Sequence, residues 1–198
     1  MNALPSPPPL ILGSTSPYRR ELLARLQLPF EVARPGAEEA VVAAEPPLAR
    51  ARRLALSKAE AVAAVRPDAV VIGSDQVAVC DGVILDKPGD AAACRDQLQR
   101  LSGSTADFHT AVAVINRARQ RCESFENLTV VHFRRLDAGT IDRYIVAEQP
   151  FDCAGGFRSE SLGVSLFDRV VSDDATGLVG LPLIRLAAVL RSFGYAVP

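Results

Sequence analysis

"LILGSTSPYRRELLARL", Leu10 to Leu26, carries a short apolar run through a Gly/Ser-rich turn into a helical pattern that opens with two arginines. Leu10 to Leu12 reads as a buried strand. Ser16 followed by Pro17 reads as an N-cap with proline at the first helical position, and Leu22, Leu23 and Leu26 share one face of the helix. A strand–turn–helix corner aims free backbone N–H groups outward, where the helix dipole favours an anion. Ser14, Thr15 and Ser16 add hydroxyl donors, and Arg19 and Arg20 add guanidinium forks. The GxxxxGK[ST] loop is absent, so taken alone the corner reads equally as a capped helix with solvated arginines.

Outward from this corner, strand and helix patterns alternate. Pro29 to Ala33 reads as a second strand, and Pro47 to about Val65 as a long helix with Leu54, Ala55, Val62 and Ala63 toward the core and Lys58 on another face. "DAVVIGSDQVAV" (68–79) is an apolar run broken at Gly73-Ser74-Asp75 and resumed at Val77, and Asp81-Gly82 marks a hairpin turn. Helix follows from Asp90 to Leu101. "FHTAVAVINRARQRCESFENLTVVHF" (108–133) reads as two long strands joined by a polar turn. Ala138 to Glu148 is helical, residues 151–171 are loop and strand, and a last helix from Gly180 to Phe193 ends at Gly194. The pattern predicts an α/β domain with a mixed sheet over residues 1–198, with residues 1–8 flexible.

The totals narrow the function. The chain has 198 residues, 48% of them apolar and 23% charged, with a formal net charge of −1. A balance so near zero lacks the basic field that holds nucleic acid by its phosphates. No run approaches the roughly 18 apolar residues of a membrane span. The opening MNALPSPPPLIL has no positively charged leader, which argues against a signal peptide. Cys80, Cys94, Cys122 and Cys153 are scattered without a CxxC pair, and read as reduced core residues of a cytoplasmic protein.

Two further groups could carry chemistry. Gly73-Ser74-Asp75-Gln76 lies at the break in a buried run, and a carboxylate there can hold a metal or take a proton from water. The plain alternative is Asp75 bonded to its own turn. The valines on both sides weigh against it, because a charge rarely sits between core strands unpartnered. Glu38, Glu39, Lys58 and Lys87 are each ordinary surface residues when taken singly. With the arginine corner they form a set suited to a triphosphate, cations for the phosphates and carboxylates for Mg²⁺. The only histidines, His109 and His132, sit in strand-like runs, which makes a histidine metal site a poor reading.

The ordered series "GSTSPYRRELL", "AEE" (37–39), "SKAEAV" around Lys58, "IGSDQV", "DKPGD" and "LVGLPL" resembles the Maf family of nucleoside triphosphate pyrophosphatases from Leu10 to about Gly194. The resemblance implies two lobes around a nucleotide-binding cleft, of the Maf and ITPase-like kind, with a mixed twisted sheet and flanking helices. It implies cleavage of a nucleoside triphosphate to monophosphate and pyrophosphate with a divalent cation, Mg²⁺ or Mn²⁺, by a cytoplasmic homodimer. Carried over by position, Asp75 is the proton acceptor. Ser14, Arg19, Arg20, Lys58 and Lys87 handle phosphate, and Glu39 is a carboxylate near the metal, which Asp75 would share.

Three positions separate the family's branches, and here they are Tyr18, Gln76 and Glu160. An aromatic residue, Gln and Glu are similar to the 7-methyl-GTP branch; Arg, Thr and Gln mark the dTTP/UTP branch. Methylated guanine is cationic, so an aromatic face gains about 0.5–2 kcal/mol of cation–π attraction. Glu160 suits the guanine N1–H and 2-amino donors. Tyr18 replaces the branch's usual Trp, Asp86 and Ala111 replace glycines, and Arg158 replaces a lysine. The competing readings are dTTP/UTP cleavage, and a nucleotide-binding regulator of cell division in which hydrolysis is incidental.

Overall fold

The computed structural model describes residues 7–198. The flexible segment expected at 1–8 therefore falls mostly outside the described residues, and Pro8, inside them, accepts a 2.7 Å hydrogen bond from the Tyr195 hydroxyl.

The corner forms as read: strand β1 (Leu10–Gly13) passes into helix α1 (Pro17–Ala24), with Ser16 accepting from the Arg19 amide as N-cap. Leu26 lies past the end of this helix. Next come β2 (Glu31–Ala33), α2 (Pro47–Val65), β3 (Val70–Cys80) and β4 (Val83–Leu85). Then follow α3 (Ala91–Leu101), β5 (Thr105–Asn116), β6 (Arg121–Phe133) and α4 (Ala138–Glu148). The chain closes through short 3₁₀ turns, β7 (Phe167–Ser172) and α5 (Leu183–Ser192). The last helix starts after Gly180 because residues 175–179 form a separate 3₁₀ turn capped by the Asp174 carboxylate.

The expected break at Gly73–Asp75 does not exist: β3 runs straight through it, paired residue for residue with β5. The seven-stranded mixed sheet has the order β2-β1-β3-β5-β6-β7, parallel among β2, β1 and β3 and antiparallel beyond, with β4 on β3. Asp81 and Gly82 both have positive φ, 50° and 73°, the turn that lets β4 fold back tightly on β3.

Side-chain alternation divides the sheet's cover. Leu10, Leu12, Val70 and Ile72 face α1 and α5, while Ile11, Val71, Ala113 and Ile115 face α2. A third cluster packs the far ends of β3, β5 and β6 against α3 and α4, around Phe108, Phe133 and Phe157. These clusters are the two lobes, with β3 and β5 common to both. Among the described residues no helix is long and apolar enough to cross a membrane.

Helix α2 approaches β3 unusually closely through Ala55 and Ala59. A Cβ on Gly73 would lie 2.6 Å from the Ala59 amide nitrogen and 2.9 Å from the Ala59 Cβ, so nothing larger than glycine fits. Gly73→Ala is therefore expected to lower stability by about 3 kcal/mol, since the obstacle is backbone rather than a movable side chain; urea unfolding measures it.

Candidate active site

β1 pairs with β3 only over Val70–Gly73, and β4, on the same edge, pairs only over Ala78–Cys80. Between them the edge of β3 at Ser74–Val77 has no strand partner, because the opposite edge belongs to β5 throughout. Asp75 sits in this window. Sequence alone placed it at a strand's end; it lies mid-strand, and a partner from α2 makes that tolerable.

The partner is Lys58. Rather than occupying another face, it lies on the buried face of α2 and is 7% exposed. Its Nζ is 2.6 Å from Asp75 Oδ1 and 2.8 Å from Glu39 Oε1. The Lys58 hydrogen bond holds the Glu39 carboxyl below the usual carboxylate range against the effect of partial burial, with Lys87 and Arg19 assisting. Asp75 Oδ2 has no hydrogen-bond partner among the described residues and is not sealed from solvent.

These groups open onto a cavity of about 530 Å³ that also takes in Ser14, Arg19 and Lys87. Burial lowers the Arg19 pKa, with Asp75 and Glu39 opposing the shift. Its Nε donates to the Gly180 carbonyl at 3.0 Å, and Ser74 Oγ donates to the same carbonyl at 2.8 Å, which ties α1 to β3. Ser14 is buried, with its hydroxyl accepting from the Ser16 amide at 3.2 Å. Arg20 does not join them: it is exposed and lines a separate shallow groove with Ala24, Leu28, Phe30 and Val32. Adjacent residues on a helix face about 100° apart, so one of the two arginines had to point away.

The three branch-distinguishing residues all line this cavity. The Tyr18 hydroxyl donates to Asp152 at 3.3 Å, and the Arg158 guanidinium lies 5.7 Å from the Tyr18 ring centroid while bonding Asp152 at 3.1 Å. Glu160 is exposed on the cavity wall, beside Ser159. Sequence reasoning missed Asp152, Cys153 and Phe157, which reach the cavity from the glycine-rich segment where Gly155 and Gly156 adopt positive φ. That double glycine was the available signal. Cys153 is only half-buried and Cys122 exposed, so core packing accounts for Cys80 and Cys94 alone. Neither histidine lines the cavity.

Among the described residues no group of three or more His, Cys, Asp or Glu side chains is gathered for a metal. Asp75 and Glu39 together still suit a hard divalent cation, which commonly takes one or two carboxylates and completes its shell with phosphate oxygens and water.

The profile of the family described as Maf-like protein matches residues 9–193. The chain is 53% identical over 191 residues to the 7-methyl-GTP pyrophosphatase of Aromatoleum aromaticum, covering 96% of this chain and 97% of that one. Proteins of the same name from Pseudomonas aeruginosa and Xanthomonas axonopodis pv. citri are 51% and 52% identical, each covering 96% of this chain and 100% of the relative.

Proposed function

The chain belongs to the Maf family, and on that premise we propose that it hydrolyses 7-methyl-GTP to 7-methyl-GMP and pyrophosphate, removing the modified nucleotide from the cytoplasmic pool. The observation that carries this reading is that one cavity is lined by two groupings. Asp75, Lys58, Glu39, Arg19 and Lys87 form a cation-rich set around an acceptor carboxylate; Tyr18, Asp152 and Glu160 form an aromatic and acidic one.

The residues divide the work accordingly. Arg19, Lys58 and Lys87 neutralise the phosphates, and the fixed charges are in place before any negative charge develops on the leaving pyrophosphate. Asp75 Oδ2 takes a proton from the water that attacks the α-phosphorus, while its Oδ1 stays anchored to Lys58. Glu39 and Asp75 would hold a divalent cation, Mg²⁺ or Mn²⁺, which supplies further charge neutralisation when bound. The Tyr18 ring and the exposed Glu160 carboxylate suit a base that carries positive charge, while Asp152 is held by Arg158 and accepts from the Tyr18 hydroxyl.

Pyrophosphate release from 7-methyl-GTP, GTP, dTTP, UTP and CTP with Mg²⁺ or Mn²⁺ tests the reading. The expected result is a kcat/KM for 7-methyl-GTP at least about tenfold above the others. A preference for dTTP or UTP would keep the chemistry and remove the base assignment. Nucleotide binding without any release, by folded protein, would favour the regulator.

A further inference from the structure

Gln76 is held in a way that dictates which of its atoms meets the substrate. Its Nε2 lies 2.9 Å from Thr110 Oγ1, 3.0 Å from the Gly177 carbonyl and 3.1 Å from the Leu178 carbonyl. Carbonyls only accept, so the amide nitrogen faces this cluster. Thr110 is fully buried on β5 directly opposite Gln76, and its hydroxyl hydrogen goes to the Gly177 carbonyl at 2.9 Å. Its oxygen can therefore only accept from Gln76. Turning the amide over would set Oε1 against two carbonyl oxygens and leave buried acceptors unpaired. Gly177 comes this close to the sheet because it has no side chain: a Cβ would lie 2.7 Å from Asn127 Cγ.

The other prong of the amide is left for the cavity. Oε1 has no partner among the described residues and is not sealed from solvent, and Gln76 lines the cavity. We infer that Thr110 is a positioning residue that, with the Gly177 and Leu178 carbonyls, holds Gln76 with its oxygen alone toward the substrate, so that the base is read through hydrogens on its edge. The Glu160 carboxylate lines the same cavity, so these two residues offer the base acceptors. Guanine is the common base with two neighbouring donors on its pairing edge, N1–H and the 2-amino group. Uracil and thymine set one N–H between two carbonyls; adenine and cytosine place an amino donor beside a ring acceptor. A base whose acceptors face Gln76 Oε1 and Glu160 leaves lone pair against lone pair, which is how a polar site rejects the wrong partner strongly.

The inference rests on the 7-methyl-GTP reading, and the experiment separates the two. The readout is the ratio of kcat/KM for 7-methyl-GTP to that for 7-methyl-inosine triphosphate, which keeps the charged ring and lacks only the 2-amino group. Wild type is expected to favour the amino-bearing base by about tenfold or more. Thr110→Val removes one of the three acceptors that hold the amide nitrogen and loosens its placement, so the ratio is expected to fall below about threefold, whereas Thr110→Ser keeps the hydroxyl and the wild-type ratio. An unchanged ratio in Thr110→Val overturns the inference. Should that variant fail to fold, Gln76→Met removes the oxygen while leaving Thr110 bonded to Gly177, and an unchanged ratio there overturns it equally. Wild type that prefers 7-methyl-GTP over UTP but ignores the 2-amino group overturns the inference and keeps the function. Wild type that prefers UTP overturns the base reading itself.

Discussion

Asp75→Asn is expected to lower kcat about 10²–10⁴-fold, the usual cost of losing a positioned base, with KM changed only a few-fold. Lys58 Nζ donates to Asp75 Oδ1 at 2.6 Å, so an asparagine in its place turns its own oxygen to the ammonium. Its NH₂ group then stands where Oδ2 stood, and a proton acceptor becomes a donor. The replacement has the same shape, and Lys58 keeps Glu39 at 2.8 Å, so the fold persists. Steady-state pyrophosphate release, with nucleotide binding followed separately, checks both halves. A variant within tenfold of wild-type kcat would remove Asp75 as the base.

Lys58→Met acts on stability and rate together. It withdraws the single cation shared by Asp75 and Glu39, leaving Asp75, 8% exposed, without its counter-charge. Breaking a buried pair from one side costs about 3–5 kcal/mol, which urea unfolding reads directly. Because the ammonium also lines the cavity, where the proposed reading puts the phosphates, kcat/KM is expected to fall about 10²–10³-fold in protein that remains folded. The double variant Asp75→Asn/Lys58→Met is the sharper check. Groups that work as one unit lose their contribution once, so the double variant should be hardly slower than the worse single one. A loss equal to the product of the two single losses would mean that the residues act independently.

Much of this fold is legible in the chain because its signals are local. The span of α2, Pro47–Val65, follows from proline at its start and a continuous small-apolar face, and Ala138–Glu148 from the Asp137 cap and helical spacing. The β5–β6 hairpin follows from alternation on both sides of a polar turn. Cavity-lining positions such as Tyr18, Lys58, Lys87 and Glu160 came through family motifs. What stayed hidden is decided by residues far apart. Gly73-Ser74-Asp75 looks like a break because a strand interior normally excludes such residues; β5 along one edge and Lys58 from α2 keep it a strand. Arg20 looks like a second Arg19 until the helix turns it away. Thr110 is an ordinary polar residue in a strand until the register sets it against Gln76.

The shared strands have a mechanical consequence. The ladder from Val71–Cys80 to Ala106–Ile115 crosses from one half of the molecule to the other without interruption. The two halves are therefore joined by paired strands rather than by a loop of the kind that commonly serves as a hinge. Side chains carried by that continuous ladder, Asp75 and Gln76 among them, are held in fixed register with β5, so the cavity they line is preorganised for what enters it.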